Sequence, residues 1–208
     1  SKEHSKNLKI ISKASKPNWI ALFKSLNTVS EGTLRLVRLR ERIRSLQKDN
    51  PNLAFFDSSL LDLFKHWFNP SFLVLQKIDW ATPANILEKI IAYEAVHEIN
   101  SWDDLRARVE PEDRRCFAFF HPLIPNEPLI LVEVALSNNM PESIKEVIKI
   151  DRSVTLDQDI NTAIFYSISN CQEGLSGISF GNFLIKNVAH QLKQEIEGLN
   201  RFATLSPA

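Results

Sequence analysis

Cysteine is scarce in this 208-residue chain: there are two, Cys116 and Cys171. That is too few for a disulfide scaffold, so a reducing, cytoplasm-like compartment is the expectation. Net charge is missing too, with 25 basic against 25 acidic residues, and nothing global points to nucleic acid or to an anionic membrane. No apolar run approaches the length of a membrane span, and no signal-peptide core is visible near the start. Glycine is limited to five positions. What remains is a composition of 44% hydrophobic and 24% charged residues, that of a globular protein with an ample core.

Residues 161–207 organise the reading. Ala163, Ile164, Phe165 and Ile168, with Tyr166 among them, form a short strand buried on both faces. Asn170-Cys171-Gln172-Glu173-Gly174-Leu175-Ser176-Gly177 follows as a turn with two of the glycines. From Gly181, residues Phe183, Leu184, Val188, Leu192 and Ile196 mark a helical stripe that Gly198 ends, and 202–205 begin another strand. Amides at such a turn and the positive helix end converge on one concavity suited to phosphate or pyrophosphate. A plain strand-to-helix connection explains the same spacing, and both readings stay open. No His or Asp flanks Cys171, so a structural thiol is favoured over a nucleophile.

Before position 69 the chain reads as helical, at 17–26, 34–47 and 58–67, the last capped by Asp57. Five arginines, Arg35, Arg38, Arg40, Arg42 and Arg44, surround the stripe Leu36, Leu39, Ile43 and Leu46; a solvated helix face is preferred over a phosphate-contacting patch. After Asn69-Pro70 come a strand at 72–75, a helix at 84–96 with Thr82 as N-cap and Pro83 at its first position, a helix capped by Ser101, and strands at 115–121 and 128–136. The expected architecture is α+β, with an all-α domain over residues 1–68 and a mixed α/β domain over 69–208. Glu94 and His97, one turn apart, have metal-compatible spacing, but two ligands make no site, and a structural hydrogen-bonding role is preferred.

The α/β part resembles malonyl-CoA decarboxylases. The residues that carry the likeness are Ile78-Asp79-Trp80 with Thr82-Pro83, the run 87–97 ending Tyr93-Glu94-Ala95-Val96-His97, Arg114-Arg115-Cys116-Phe117, Glu127-Pro128-Leu129, residues 163–169, residues 172–186 and Phe202-Ala203-Thr204-Leu205-Ser206-Pro207. The resemblance covers 72 to the end, and the helical portion fits the family's helical domain more loosely. It implies a GNAT-type acyltransferase fold in which the strands either side of the helix part and admit the thioester arm. It also implies coenzyme A binding by the turn Glu173, Gly174, Leu175, Ser176, Gly177, Ile178 and Ser179, with Asn170 and Gln172 beside it. Malonyl-CoA would be cleaved to acetyl-CoA and carbon dioxide without metal or separate cofactor, by a self-associating protein in which Cys116 approaches an equivalent cysteine across an interface.

The family pairs a hydroxyl near the last strand with a histidine farther on. The place of one member's catalytic serine is Ala203 here, which leaves Ser206 and Thr204 as the candidate catalytic hydroxyls. None of His66, His97, His121 and His190 replaces that distant histidine, so residues 1–208 alone are expected to bind CoA thioesters and to decarboxylate poorly. Two other readings are a GNAT-type acyltransferase acting on an amine and a non-catalytic CoA-binding module.

Overall fold

The structure is a computed structural model that describes residues 18–141, 143–149, 154 and 160–205. Its contacts separate into two units.

The first unit holds three helices, α1 (Asn18–Leu26), α2 (Gly32–Leu46) and α3 (Ala54–Trp67), together with the turn Glu173–Ile178. Between α1 and α2 the chain doubles back so tightly that a Cβ at Gly32 would lie 2.0 Å from the Leu26 carbonyl oxygen. Helix α2 buries Leu36, Val37, Arg40 and Ile43 at helical spacing, while Leu39 stays 40% exposed. Helix α3 contributes Leu60 and Phe64, both fully buried. Trp19 closes the other side, its ring tilted against Phe56 with centroids 4.8 Å apart and its indole N–H donated to Ser59. Helix α3 begins at Ala54, so Asp57 lies within its first turn instead of capping it. Its carboxylate is engaged by Arg40.

The second unit is a five-stranded sheet among the described residues, in the order β1 (Val74–Ile78), β2 (Arg114–Phe120), β3 (Ile130–Ser137), β4 (Thr162–Asn170), β5 (Arg201–Thr204). Strands β1 to β4 are antiparallel neighbours, and β5 joins β4 in parallel. A parallel neighbour requires a crossover, and helix α7 (Gly181–Glu195) lies in it. The fold is thus α+β, helices first and mixed sheet after, as the sequence implies. None of the described helices is long and apolar enough to cross a membrane.

Local chemistry moves some boundaries. The first strand starts at Val74 and not at 72, because Pro70–Phe72 forms a 3-10 turn held by Ser71 N–H on the Asn69 side chain. Helix α4 (Ala84–Tyr93) starts after Pro83; Thr82 accepts from Asp79 N–H and so does not cap it. The same helix ends at Tyr93, three residues before the expected 96, since the Glu94 carboxylate takes the Val96 and His97 amides and draws the chain off the helical path. Ser101 does cap α5 (Trp102–Val109), accepting from Asp104 N–H at 3.1 Å. A short helix, α6 (Ile144–Ile148), precedes β4.

Ile86, Leu87 and Ile90 of α4 and Leu105 and Val109 of α5 pack with Ile78, Cys116, Ala118 and Leu131 of the sheet. Burying an aliphatic side chain of this kind contributes about 1.5–3 kcal/mol, so this face is a principal source of stability. Helix α7 buries Leu184, Val188 and Leu192, and its Glu195 bridges Lys77 of β1 at 3.0 Å and Arg115 of β2 at 2.8 Å. Gly198, at φ +89, turns the chain from α7 toward β5.

Candidate functional site

Strand β5 pairs only with the first part of β4, from Thr162↔Arg201 to Phe165↔Thr204, and Leu205 N–H adds a last bond to the Phe165 carbonyl. Beyond that point, among the described residues, Tyr166–Asn170 has no strand on its β5 side. On the β3 side the register slips between Glu133 and Val134, which pair with Ser167 and Phe165. Tyr166 is therefore the extra residue of a β-bulge, the device that re-aims side chains and bends a strand.

The segment after the bulge is held from one side by the end of α4. Glu94 is 4% exposed. Its Oε1 accepts from Val96 N–H and His97 N–H at 2.9 Å and from Ser167 Oγ at 2.7 Å, while Oε2 accepts from Ser169 Oγ at 3.0 Å. His97 Nε2 lies 3.2 Å from the Tyr166 carbonyl oxygen, which fixes that nitrogen as the protonated one. The Glu94–His97 pair is thus a hydrogen-bonding brace, and no group of three metal-ligating side chains gathers among the described residues. With three contacts to β4, at the Tyr166 carbonyl and the Ser167 and Ser169 hydroxyls, this brace adds to the β3 pairing in holding the strand beyond the bulge.

On the same face Glu133 is 1% exposed and chelated by Arg108, with Nη1 at 3.0 and 3.3 Å from its two oxygens. Burial pushes the Glu133 carboxyl up to about 7, against the pull of Arg108 and with a further push from Glu94. A cavity of about 100 Å³ beside it, lined by Arg108, Arg114 and Tyr166 among others, is sized for water and not for a coenzyme.

In the first unit, the turn Glu173–Ile178 is gripped by α2. Arg40, 1% exposed, sends Nη1 to the carbonyls of Gly174 and Ser176 at 2.7 and 2.8 Å and Nε to Asp57 at 2.9 Å. Arg44 adds a bond to Ser176 Oγ. The arginine-rich helix is therefore not simply a solvated face: Arg35, Arg38 and Arg42 are exposed, but Arg40 lies on the buried stripe. A Cβ at Gly174 would meet the Val37 carbonyl oxygen at 2.0 Å, so only glycine permits this approach. Ser176 N–H and Ile178 N–H bond within the turn, to Glu173 O and Leu175 O.

Of the remaining candidates, Asn170 is exposed at the end of β4 and Ser179 lies in the exposed approach to α7. Gln172 is buried and donates its side-chain amide to the Pro128 carbonyl. Thr204 is exposed at the end of β5, and Ser206 lies outside the described residues. Cys171 is a buried thiol, as its surroundings in sequence suggest; Cys116 is buried at 1% under α4 and α5, not at a surface. Sequence reading gave Arg40 and Asp57 other roles, one arginine of a solvated face and a helix cap, and gave Ser167, Ser169 and Glu133 none. For Arg40 a signal existed: it falls at helical spacing between Leu36 and Ile43.

Residues 1–68 match the malonyl-CoA decarboxylase N-terminal domain, and residues 71–208 match the malonyl-CoA decarboxylase C-terminal domain. The chain belongs to the malonyl-CoA decarboxylase family. Over 197 residues it is 39% identical to the mitochondrial malonyl-CoA decarboxylase of Anser anser anser, covering 92% of this chain and 39% of the goose protein. The enzyme of Rattus norvegicus is 35% identical over 197 residues, 40% of its length. Crystal structures of malonyl-CoA decarboxylase from Rhodopseudomonas palustris and Agrobacterium vitis superpose with TM-scores of 0.91 and 0.90 at 51% and 50% identity. They cover 94% and 96% of this chain, which spans 47% and 48% of theirs. This malonyl-CoA decarboxylase homologue thus spans about two fifths of its curated relatives, and its sheet, turn and helical unit are those of the family.

Proposed function

We propose that this chain carries the coenzyme-binding portion of a malonyl-CoA decarboxylase, whose reaction converts malonyl-CoA to acetyl-CoA and carbon dioxide. The observation that carries the reading is the half of β4 beyond a bulge, Tyr166–Asn170, which among the described residues has no β5 neighbour. Strand-edge groups of that kind suit the amide-bearing arm of a CoA thioester. Helix α7 supports it: its first turn contains no acid and no side-chain cap occupies its leading amides, which favours an anionic group there. The proposed coenzyme-binding residues are Asn170, Gln172 and the turn residues Glu173, Gly174, Leu175, Ser176, Gly177, Ile178 and Ser179.

In this reaction the bond between the carboxylate carbon and the α-carbon breaks. Carbon dioxide leaves and its bonding pair passes to the thioester as an enolate. Fixed donors at the end of β4, among them the Asn170 side-chain amide, stabilise the oxyanion. A hydroxyl on or just after β5, Thr204 or Ser206, participates in protonating the α-carbon. Self-association through the helical unit is part of the proposal, since Leu22, Leu26, Leu39 and Phe55 are exposed there.

Calorimetry with CoA and acetyl-CoA tests the binding, and carbon dioxide release from malonyl-CoA without acceptor tests the chemistry. Absence of heat with either ligand would overturn the reading. Acetyl transfer to an amine without carbon dioxide release would favour an acyltransferase, and binding without any turnover a coenzyme-binding module.

A further inference from the structure

We infer that Arg40, a residue of the helical unit, is the positioning residue that aims the turn's amides at the coenzyme diphosphate. The inference rests on the coenzyme reading above and adds to it a specific device. Within the turn the carbonyls divide by alternation. Those of Glu173 and Leu175 accept from Ser176 N–H and Ile178 N–H inside the turn. Those of Gly174 and Ser176 accept from the two hydrogens of Arg40 Nη1, at 2.7 and 2.8 Å.

A trans peptide is planar, and its carbonyl and N–H point in opposite directions. Among the described residues no peptide bond is cis. Drawing the Gly174 and Ser176 carbonyls onto Arg40 therefore directs the Leu175 and Gly177 N–H groups away from α2. Two amides on alternate residues, turned to one side, form an anion-binding arrangement. Gly177, at φ +85, supplies the left-handed angle that such an arrangement needs.

The guanidinium suits this task better than an ammonium. One nitrogen spans two carbonyls while Nε stays on Asp57 at 2.9 Å, so the fork has a single orientation. Gly174 completes the device, because any side chain there would meet the Val37 carbonyl and lift the turn off Arg40. Arg40 itself, at 1% exposure, acts through the turn and not by touching the ligand.

The test is two-part, on the whole chain. Calorimetry with CoA is expected to show binding weakened by about tenfold or more in Arg40→Met and by less in Arg40→Lys. Amide NMR of the wild type is expected to show the Leu175 and Gly177 N–H signals moving on CoA addition, and in folded Arg40→Met not moving. If Arg40→Met fails to fold, the wild-type signals and a weaker CoA affinity in Asp57→Asn, which loosens the fork, decide instead. A wild type that binds no CoA removes the coenzyme reading itself. A wild type that binds CoA with those two signals unmoved, or folded variants with unchanged affinity, overturns the role of Arg40 alone.

Discussion

Arg40 Nε donates to Asp57 Oδ1 at 2.9 Å, joining α2 to α3 beneath a turn that lies more than a hundred residues farther along the chain. A buried pair is stabilising chiefly relative to its broken form, because one partner alone is an uncompensated charge. Asp57→Ala is therefore expected to cost about 3 kcal/mol and Asp57→Asn less, since the amide oxygen still accepts. Urea unfolding followed by helix signal measures both. Equal losses for the two variants would show that the acceptor oxygen without its charge contributes nothing.

Glycine is required at 174 and at 177 for different reasons. At Gly174 an added Cβ would sit 2.0 Å from backbone, where nothing flexible can yield. At Gly177 the nearest atoms are Leu61 methyls at 3.7 Å, and only φ +85 is unfavourable. Gly174→Ala should cost roughly 3 kcal/mol or more by overpacking, and Gly177→Ala about 1–2 kcal/mol. Denaturant midpoints give the order, and the reverse order would contradict the close approach of the turn to α2.

Glu133 gives the second unit a pH dependence. Burial holds the folded carboxyl near 7, opposed by Arg108, whereas the unfolded one titrates near 4.5. Between those values the folded state keeps a proton that the unfolded chain has released. Its contribution is thus fully present below the unfolded value and falls as pH rises through 7, by roughly 3 kcal/mol. Stability measured at pH 5 and pH 8 should decline more steeply in the wild type than in Glu133→Gln. Parallel profiles would assign the dependence elsewhere.

Neither thiol should behave as a nucleophile. Cys116 and Cys171 are 1% and 7% exposed, and burial pushes both thiols up, with Glu133 and Glu94 adding to the effect at Cys116 and Glu94 at Cys171. A disulfide-exchange reagent at pH 8 should label neither cysteine in the folded chain within minutes and both in urea. Rapid labelling without denaturant would place a cysteine at an accessible site.

Glu94 accepts four hydrogen bonds, and two of them fasten the part of β4 beyond the bulge. Glu94→Ala leaves two half-buried amides and two buried serine hydroxyls without that acceptor, for an expected loss of roughly 3 kcal/mol. Glu94→Gln keeps one oxygen and should lose about half as much. Amide exchange at Ser167 and Ser169 reports the effect locally; protection equal to wild type would mean that the brace does not hold the strand.

Much of this was legible from local pattern. The stripe of Leu184, Val188, Leu192 and Ile196 marked α7, Gly198 its end, and the apolar run 163–166 a strand buried on both faces, because side-chain period and steric freedom are short-range properties. Ile168 of the same run, however, is 39% exposed. Illegible parts arose where a distant group competed with a local rule. Asp57 looks like a cap until Arg40 claims it, and Glu94 looks like one more helical residue until its carboxylate takes the amides that follow.

The order of elements, helices and then a mixed sheet, followed from the chain alone, since hydrophobic periodicity and glycine placement act within a few residues. The bulge at Tyr166, the parallel pairing of β5 with β4 and the capture of the 173–178 turn by Arg40 were settled only in three dimensions. Each joins groups tens to more than a hundred positions apart, and a linear pattern carries no record of which buried donor will find which acceptor.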